Sequence, residues 1–203
     1  MNGFNRIGIF GGTFDPPHIG HQILAAEAFD QLALERIFWV LTPNPPHKQG
    51  HVITPLEYRI RMVEATIAEN LNFVLSRVEI ERAPPHYALD TVRVLQEQYP
   101  SAEMVYLIGG DSLSTLPDWD RPQEFLDACS LIGVMCRPGQ QADLRGLESI
   151  IQGISAKVRF IDAPLLEISS SGIRRRVAQG KTFRYYLPEA VNQIILEQNL
   201  YLD

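Results

Sequence analysis

The stretch Gly11-Gly12-Thr13-Phe14-Asp15-Pro16-Pro17-His18-Ile19-Gly20-His21 decides how this chain is read. Before it runs Arg6 to Phe10, a short apolar segment that reads as a buried strand. After it, Ile23, Leu24, Ala28, Leu32 and Ala33 repeat at helical spacing, predicting an amphipathic helix over Ile19 to Leu34. A glycine turn between a strand and a helix start is the setting of a phosphate-binding loop. Gly11 and Gly12 let the backbone approach a ligand, and the helix N-terminus favours anions through its free N–H groups and its dipole. The loop is neither G-x-G-x-x-G nor the lysine-containing P-loop. His18 and His21, three residues apart, share one helix face. Gly20 between them leaves room for a ribose or a base. Taken singly, the glycines could be only a turn and a histidine only a cap. A two-histidine metal site lacks a cysteine or carboxylate at ligand spacing, so no metal site is assigned to the protein.

Outward from this loop, apolar runs and helical patterns alternate. Arg36 to Leu41 is a second strand, followed by a proline-rich loop from Thr42 to Gln49. A helix is predicted from Thr54, as N-cap before Pro55, to Ala68. Strands are expected at Phe73 to Val78, Met104 to Ile108, Leu131 to Cys136 and Val158 to Ile161, and helices at Tyr87 to Tyr99, Ser170 to Gln179 and Pro188 to Gln198. Three strands end in glycine loops, at Gly11-Gly12, Gly109-Gly110 and Pro138-Gly139. The alternation predicts an α/β fold: a Rossmann-like open, mostly parallel sheet with helices on both faces, binding its ligand at the carboxyl ends of the strands. The expectation is one domain over 1–203, with a helical segment from about 165 onward.

The bulk composition sets limits. The 203 residues are 45% apolar and 21% charged, which suits one sizeable core and argues against disorder. A net charge of −6 argues against broad nucleic-acid binding. The two cysteines, Cys129 and Cys136, are too few for a disulfide scaffold and read as small apolar residues. No signal peptide and no apolar run of bilayer length is visible, so a cytoplasmic protein without membrane contact is expected. Leu187 to Leu200 carries apolar residues at helical spacing for the core or for a second copy, leaving a homo-oligomer open.

His18-Ile19-Gly20-His21, with Gly11-Gly12-Thr13-Phe14-Asp15-Pro16 in front, resembles the HIGH-motif nucleotidyltransferases. Further segments narrow the resemblance: P-P-H-K at 45–48, Y-A-L-D-T at 87–91, G-G-D-S-L at 109–113, L-P-D-W at 116–119, R-P-G at 137–139 and I-S-S-S-G-I-R at 168–174. In this order they are similar to segments of the bacterial nicotinate-nucleotide adenylyltransferases. That resemblance implies adenylyl transfer from ATP, with Mg²⁺, to nicotinate mononucleotide. His18, His21, Lys48 and Arg174 would neutralise the phosphates, with Lys48 in a loop able to close over the site. Gly11, Gly12, Thr13, Gly20, Gly109, Asp111, Arg137, Ser169, Ser170 and Ser171 would bind ATP, Asp111 through the ribose hydroxyls. Tyr87, Ala88, Thr91, Trp119 and Asp120 would form the pyridine nucleotide site, with Trp119 stacking on the ring. Arg175 and Arg176 are left as surface residues.

One departure bears on substrate choice. Ala88 stands where the family usually has a threonine hydroxyl at the pyridine carboxylate, so a backbone N–H would have to serve. Nicotinamide mononucleotide is therefore a rival substrate, and phosphopantetheine a weaker one. A non-catalytic nucleotide-binding module would be expected to lack one of the phosphate-handling residues, and all are present. A tRNA-dependent enzyme is disfavoured by the acidic charge and by the lack of room for an anticodon-binding domain.

Overall fold

A computed structural model describes residues 4–45, 52–135, 143–164 and 166–202. Six parallel strands form one sheet: β1 (Arg6–Gly12), β2 (Arg36–Leu41), β3 (Phe73–Ser76), β4 (Glu103–Gly109), β5 (Leu131–Met135) and β6 (Val158–Phe160). Their order is β3-β2-β1-β4-β5-β6, with β1 pairing β2 on one side and β4 on the other. The chain builds outward in one direction, then returns and builds in the other. The reversal lies between β1 and β4, where an open α/β sheet leaves a crevice at its strand ends.

The strands read as continuous apolar runs because both faces are covered. Alternate side chains point to opposite faces. Ile7, Ile9, Phe38, Val40, Met104, Tyr106 and Ile108 face one core, against α3 (Ala88–Gln98) and α5 (Pro122–Ala128). Phe10, Ile37, Trp39, Leu41, Val105 and Leu107 face the other, against α1 (Ile19–Gln31) and α2 (Leu56–Ile67). Cys129 is buried in the first core and unbonded, and burial pushes its thiol up to about 12. Three short helices lie in the crossovers, α4 (Gly110–Ser114), α6 (Leu144–Glu148) and α7 (Ile154–Lys157), and α8 (Ser170–Ala178) follows the last strand.

The last helix, α9 (Glu189–Glu197), packs with α8 on the outer side of α2. Met62, Ile173, Val177, Leu187, Val191, Ile194 and Ile195 form this third apolar cluster, so the stripe at Leu187 to Leu200 is covered within the chain. Among the described residues no helix is long and apolar enough to cross a membrane.

Two local expectations change. Pro55, not Thr54, holds the N-cap position of α2. Thr54 instead offers its carbonyl to Arg59 Nε at 2.9 Å and its N–H to Asp15 Oδ2 at 3.4 Å. The expected strand from Phe73 to Val78 stops at Ser76, where Val78 N–H turns back to Ser76 Oγ.

Candidate active site

At the reversal between β1 and β4 lies a cleft of about 240 Å³. Gly11 from β1, His18, Gly20 and His21 from the start of α1, and Gly109 and Asp111 from the end of β4 line it together. Four residues expected to bind ATP and the two histidines expected to neutralise its phosphates thus converge from two segments nearly a hundred residues apart. Pro164, Leu166 and Ile168, from the segment before α8, close another side.

Local chemistry sets the histidine geometry. His18 occupies the N-cap of α1 in extended conformation, and its N–H donates to His21 Nδ1 at 3.1 Å. The cap reading is realised, and the side chain that caps also lines the cleft. A Cβ on Gly20 would lie 3.1 Å from His18 Nδ1, so this glycine makes room for the imidazole. Gly11 meets a similar constraint: a Cβ there would fall 2.8 Å from the Tyr106 hydroxyl. A Cβ built on Gly109 would meet nothing within 4 Å, consistent with its place on the open cleft wall.

The loop behind the histidines is held from several directions. Phe14 adopts φ 47, an uncommon conformation for a bulky residue. Its buried ring packs edge-on against Phe10 at 5.4 Å and His21 at 5.2 Å, and lies 5.1 Å from Trp39. Buried Arg59 donates to four carbonyls, those of Thr13, Thr42, Pro43 and Thr54. Ser170 Oγ donates to Pro16 O at 2.8 Å, and Arg174 Nη1 to Asp15 O at 2.6 Å. The serine motif thus docks directly on the N-terminal loop.

Ser169 caps α8 by accepting from Gly172 N at 3.1 Å, as serine at a helix start does. A Cβ on Gly172 would press on that hydroxyl at 3.0 Å, so the missing side chain leaves room for the cap. Arg176 also differs from a plain surface residue. It donates to Thr182 O at 2.7 Å and lies 5.0 Å over the Tyr186 ring.

The residues expected at the pyridine nucleotide fall elsewhere. Tyr87, Ala88, Thr91, Trp119 and Asp120 do not line the cleft; they sit on the α3–α5 side of β4. Arg121 ties two of these segments, pairing with Asp120 at 2.6 Å and Asp90 at 3.0 Å. Trp119 is half-buried, with Tyr106 at 6.3 Å and Phe125 at 5.3 Å. It therefore serves the core and still presents surface. Thr91 corrects the expectation most clearly. It is fully buried, and its hydroxyl donates to Glu79 Oε1 at 2.6 Å, so it supports the Tyr87 turn from beneath and offers no face to a ligand. Lys48 and Arg137 lie outside the described residues.

Glu79, Arg82, His86 and Tyr106 form a polar group under this turn that motif reading does not single out. Burial pushes the Glu79 carboxyl above its ordinary range, against the opposing pull of the Thr91 hydrogen bond and the Arg82 charge. Arg82 Nη2 reaches the Tyr87 carbonyl at 3.4 Å and Thr91 Oγ1 at 3.3 Å. Burial, and then the Arg82 charge, holds the His86 imidazole below its ordinary value. This gives His86 an environment, where sequence alone assigns it nothing. The available signal was an acid, a base and a histidine clustered in a short segment between apolar residues.

The comparisons agree with this geometry. The sequence profile of the Cytidylyltransferase-like family matches residues 9–176. A protein of Thermomicrobium roseum named "Probable nicotinate-nucleotide adenylyltransferase" is 40% identical over 197 residues, covering 97% of this chain and 92% of its own. One of the same name from Exiguobacterium sibiricum is 41% identical, covering 97% and 98%. The chain belongs to the nicotinate-nucleotide adenylyltransferase family. The solved nicotinic acid mononucleotide adenylyltransferase of Plasmodium falciparum, complexed with NaAD, superposes with a TM-score of 0.79 over 97% of both chains. At 19% identity that likeness speaks for the shared fold. The six-stranded sheet with its crevice beside β1 is thus the architecture of the adenylyltransferases, and the histidine pair occupies that crevice.

Proposed function

We propose that this adenylyltransferase transfers the adenylyl group of ATP to nicotinate mononucleotide, forming nicotinate adenine dinucleotide and pyrophosphate in NAD biosynthesis. The observation that carries the proposal is the convergence of His18, His21 and Asp111 on one cleft at the sheet's reversal. A phosphate oxygen of the mononucleotide attacks the α-phosphorus of ATP. One P–O bond forms, the bond to the β-phosphate bridging oxygen breaks, and pyrophosphate leaves. The attacking oxygen is already anionic, so no general base is required. Catalysis comes from alignment and from donors aimed at the phosphates. The imidazoles and the N-terminus of α1 supply those donors, Arg174 adds a fixed charge, and Asp111 takes the ribose hydroxyls. Tyr87, Ala88, Trp119 and Asp120 receive the pyridine nucleotide, with Thr91 beneath them.

Mg²⁺ fits this site as a companion of the triphosphate. Among the described residues no three His, Cys, Asp or Glu side chains stand together as a cage. Mg²⁺ keeps much of its water and is commonly held by substrate phosphates with one or two carboxylates. When bound it would neutralise phosphate charge.

Pyrophosphate release from Mg·ATP, compared for nicotinate and nicotinamide mononucleotide, tests the proposal. A large preference for the nicotinate form is expected, with the carboxylate met by backbone N–H groups at Ala88. Preference for the amide would overturn the substrate, and silence with both would overturn the activity.

A further inference from the structure

Asp15 is buried, only 4% exposed, and its carboxylate is shared among distant segments. The Tyr201 hydroxyl donates to Oδ1 at 2.7 Å, and the Thr54 N–H points to Oδ2 at 3.4 Å. Arg174 stands beside it. It bonds the Asp15 main-chain carbonyl at 2.6 Å, while its guanidinium stays 3.9 Å from Oδ2, with the side chain 36% exposed. This is an unusual truce. Arginine and carboxylate at such range ordinarily close into a short, bidentate pair. Here the phenol takes Oδ1, which a bidentate pair would have to share, and Arg174 Nη1 instead bonds the Asp15 main-chain carbonyl.

Tyr201 is held for this task. It sits at φ 66, in the left-handed region that a bulky residue rarely adopts, among the residues packed on the third apolar cluster. Burial, and then the neighbouring Asp15 charge, pushes its phenol well above the ordinary range.

We propose that Tyr201 is a positioning residue: by occupying Asp15 Oδ1 it prevents Asp15 from capturing Arg174, and so keeps the Arg174 guanidinium available to the triphosphate of ATP. The inference rests on the reading of Arg174 as a phosphate-binding residue. Removing the phenol oxygen takes a donor from a buried carboxylate oxygen, and among the described residues the Arg174 guanidinium, 3.9 Å from Oδ2 and partly exposed, is placed to replace it.

The test is Mg·ATP binding by calorimetry, with KM for both substrates and thermal melting, on the full chain. Tyr201→Phe should raise the Kd for Mg·ATP by roughly five- to tenfold while the pyridine nucleotide KM stays unchanged. Adding Asp15→Asn to Tyr201→Phe removes the competing charge and should recover most of the lost ATP affinity. Arg174→Ala serves as the reference. If it leaves ATP affinity unchanged, the phosphate reading of Arg174 falls. If it weakens ATP while Tyr201→Phe does not, or if the double variant binds ATP no better than Tyr201→Phe, the positioning role alone is overturned.

Discussion

The imidazoles of His18 and His21 lie nearly face to face, with ring centroids 3.6 Å apart and planes 21° from parallel. The His18 N–H is directed at His21 Nδ1, so a neutral His21 carries its proton on Nε2. One side chain thereby closes the helix start and keeps a donor at the cleft. The Phe14 ring, edge-on to His21, limits the imidazole's freedom to rotate away.

His21→Ala removes both roles and should lower kcat by about 10²- to 10³-fold, the usual effect of losing a transition-state donor. The lost cap should cost only about 1 kcal/mol, leaving the protein folded. Steady-state pyrophosphate release and a urea melt measure the two effects, and an unchanged kcat would remove His21 from the chemistry.

Trp119→Ala should weaken the pyridine nucleotide and barely affect ATP, raising one KM and not the other. Because the indole also packs on Tyr106 and Phe125, the melting temperature should fall as well. Equal loss for both substrates would show that Trp119 serves the core alone.

Thr91→Val keeps the shape and deletes the hydroxyl that serves Glu79. Losing one of the hydrogen bonds at this buried carboxyl, with Thr42 remaining as a partner, costs about 1–3 kcal/mol, so a clear drop in the urea midpoint is expected. Thr91→Ser, which restores the donor, should recover most of it. If the valine variant matches the wild type in stability, the bond to Glu79 carries no weight.

The depressed His86 value predicts a stability that falls in mild acid. In the unfolded chain this histidine protonates near 6.5, whereas burial and Arg82 oppose the proton in the fold. The unfolded state therefore binds more protons as pH drops below that value, and stability declines with it. His86→Gln should lose less stability than the wild type between about pH 7.5 and about pH 5.5. Urea midpoints at both values decide, and parallel losses would exclude His86 as a source.

Much of the architecture is legible in the chain because its signals are local. The runs at Ile7 to Phe10, Ile37 to Leu41 and Met104 to Ile108 are apolar throughout, which a strand needs only when both sheet faces are covered. The glycine and histidine spacing from Gly11 to His21 places a turn, a helix start and two imidazoles on one face without reference to the rest of the molecule. Helices α4, α6 and α7 have only four or five residues, too few to show a period, and they escape such reading. Other facts have no local signature. Thr91 looks like a ligand-facing hydroxyl until the fold buries it over Glu79. The contact between Tyr201 and Asp15 joins residues 186 positions apart, and Arg59 reads as an ordinary helix charge until four loop carbonyls surround it. Backbone conformation and periodicity are properties of neighbours in sequence, and the chain alone determines them here. Which polar group satisfies which is settled only when the sheet, α2, α8 and the segment after α9 are packed together, because burial then forces each donor and acceptor to find its partner.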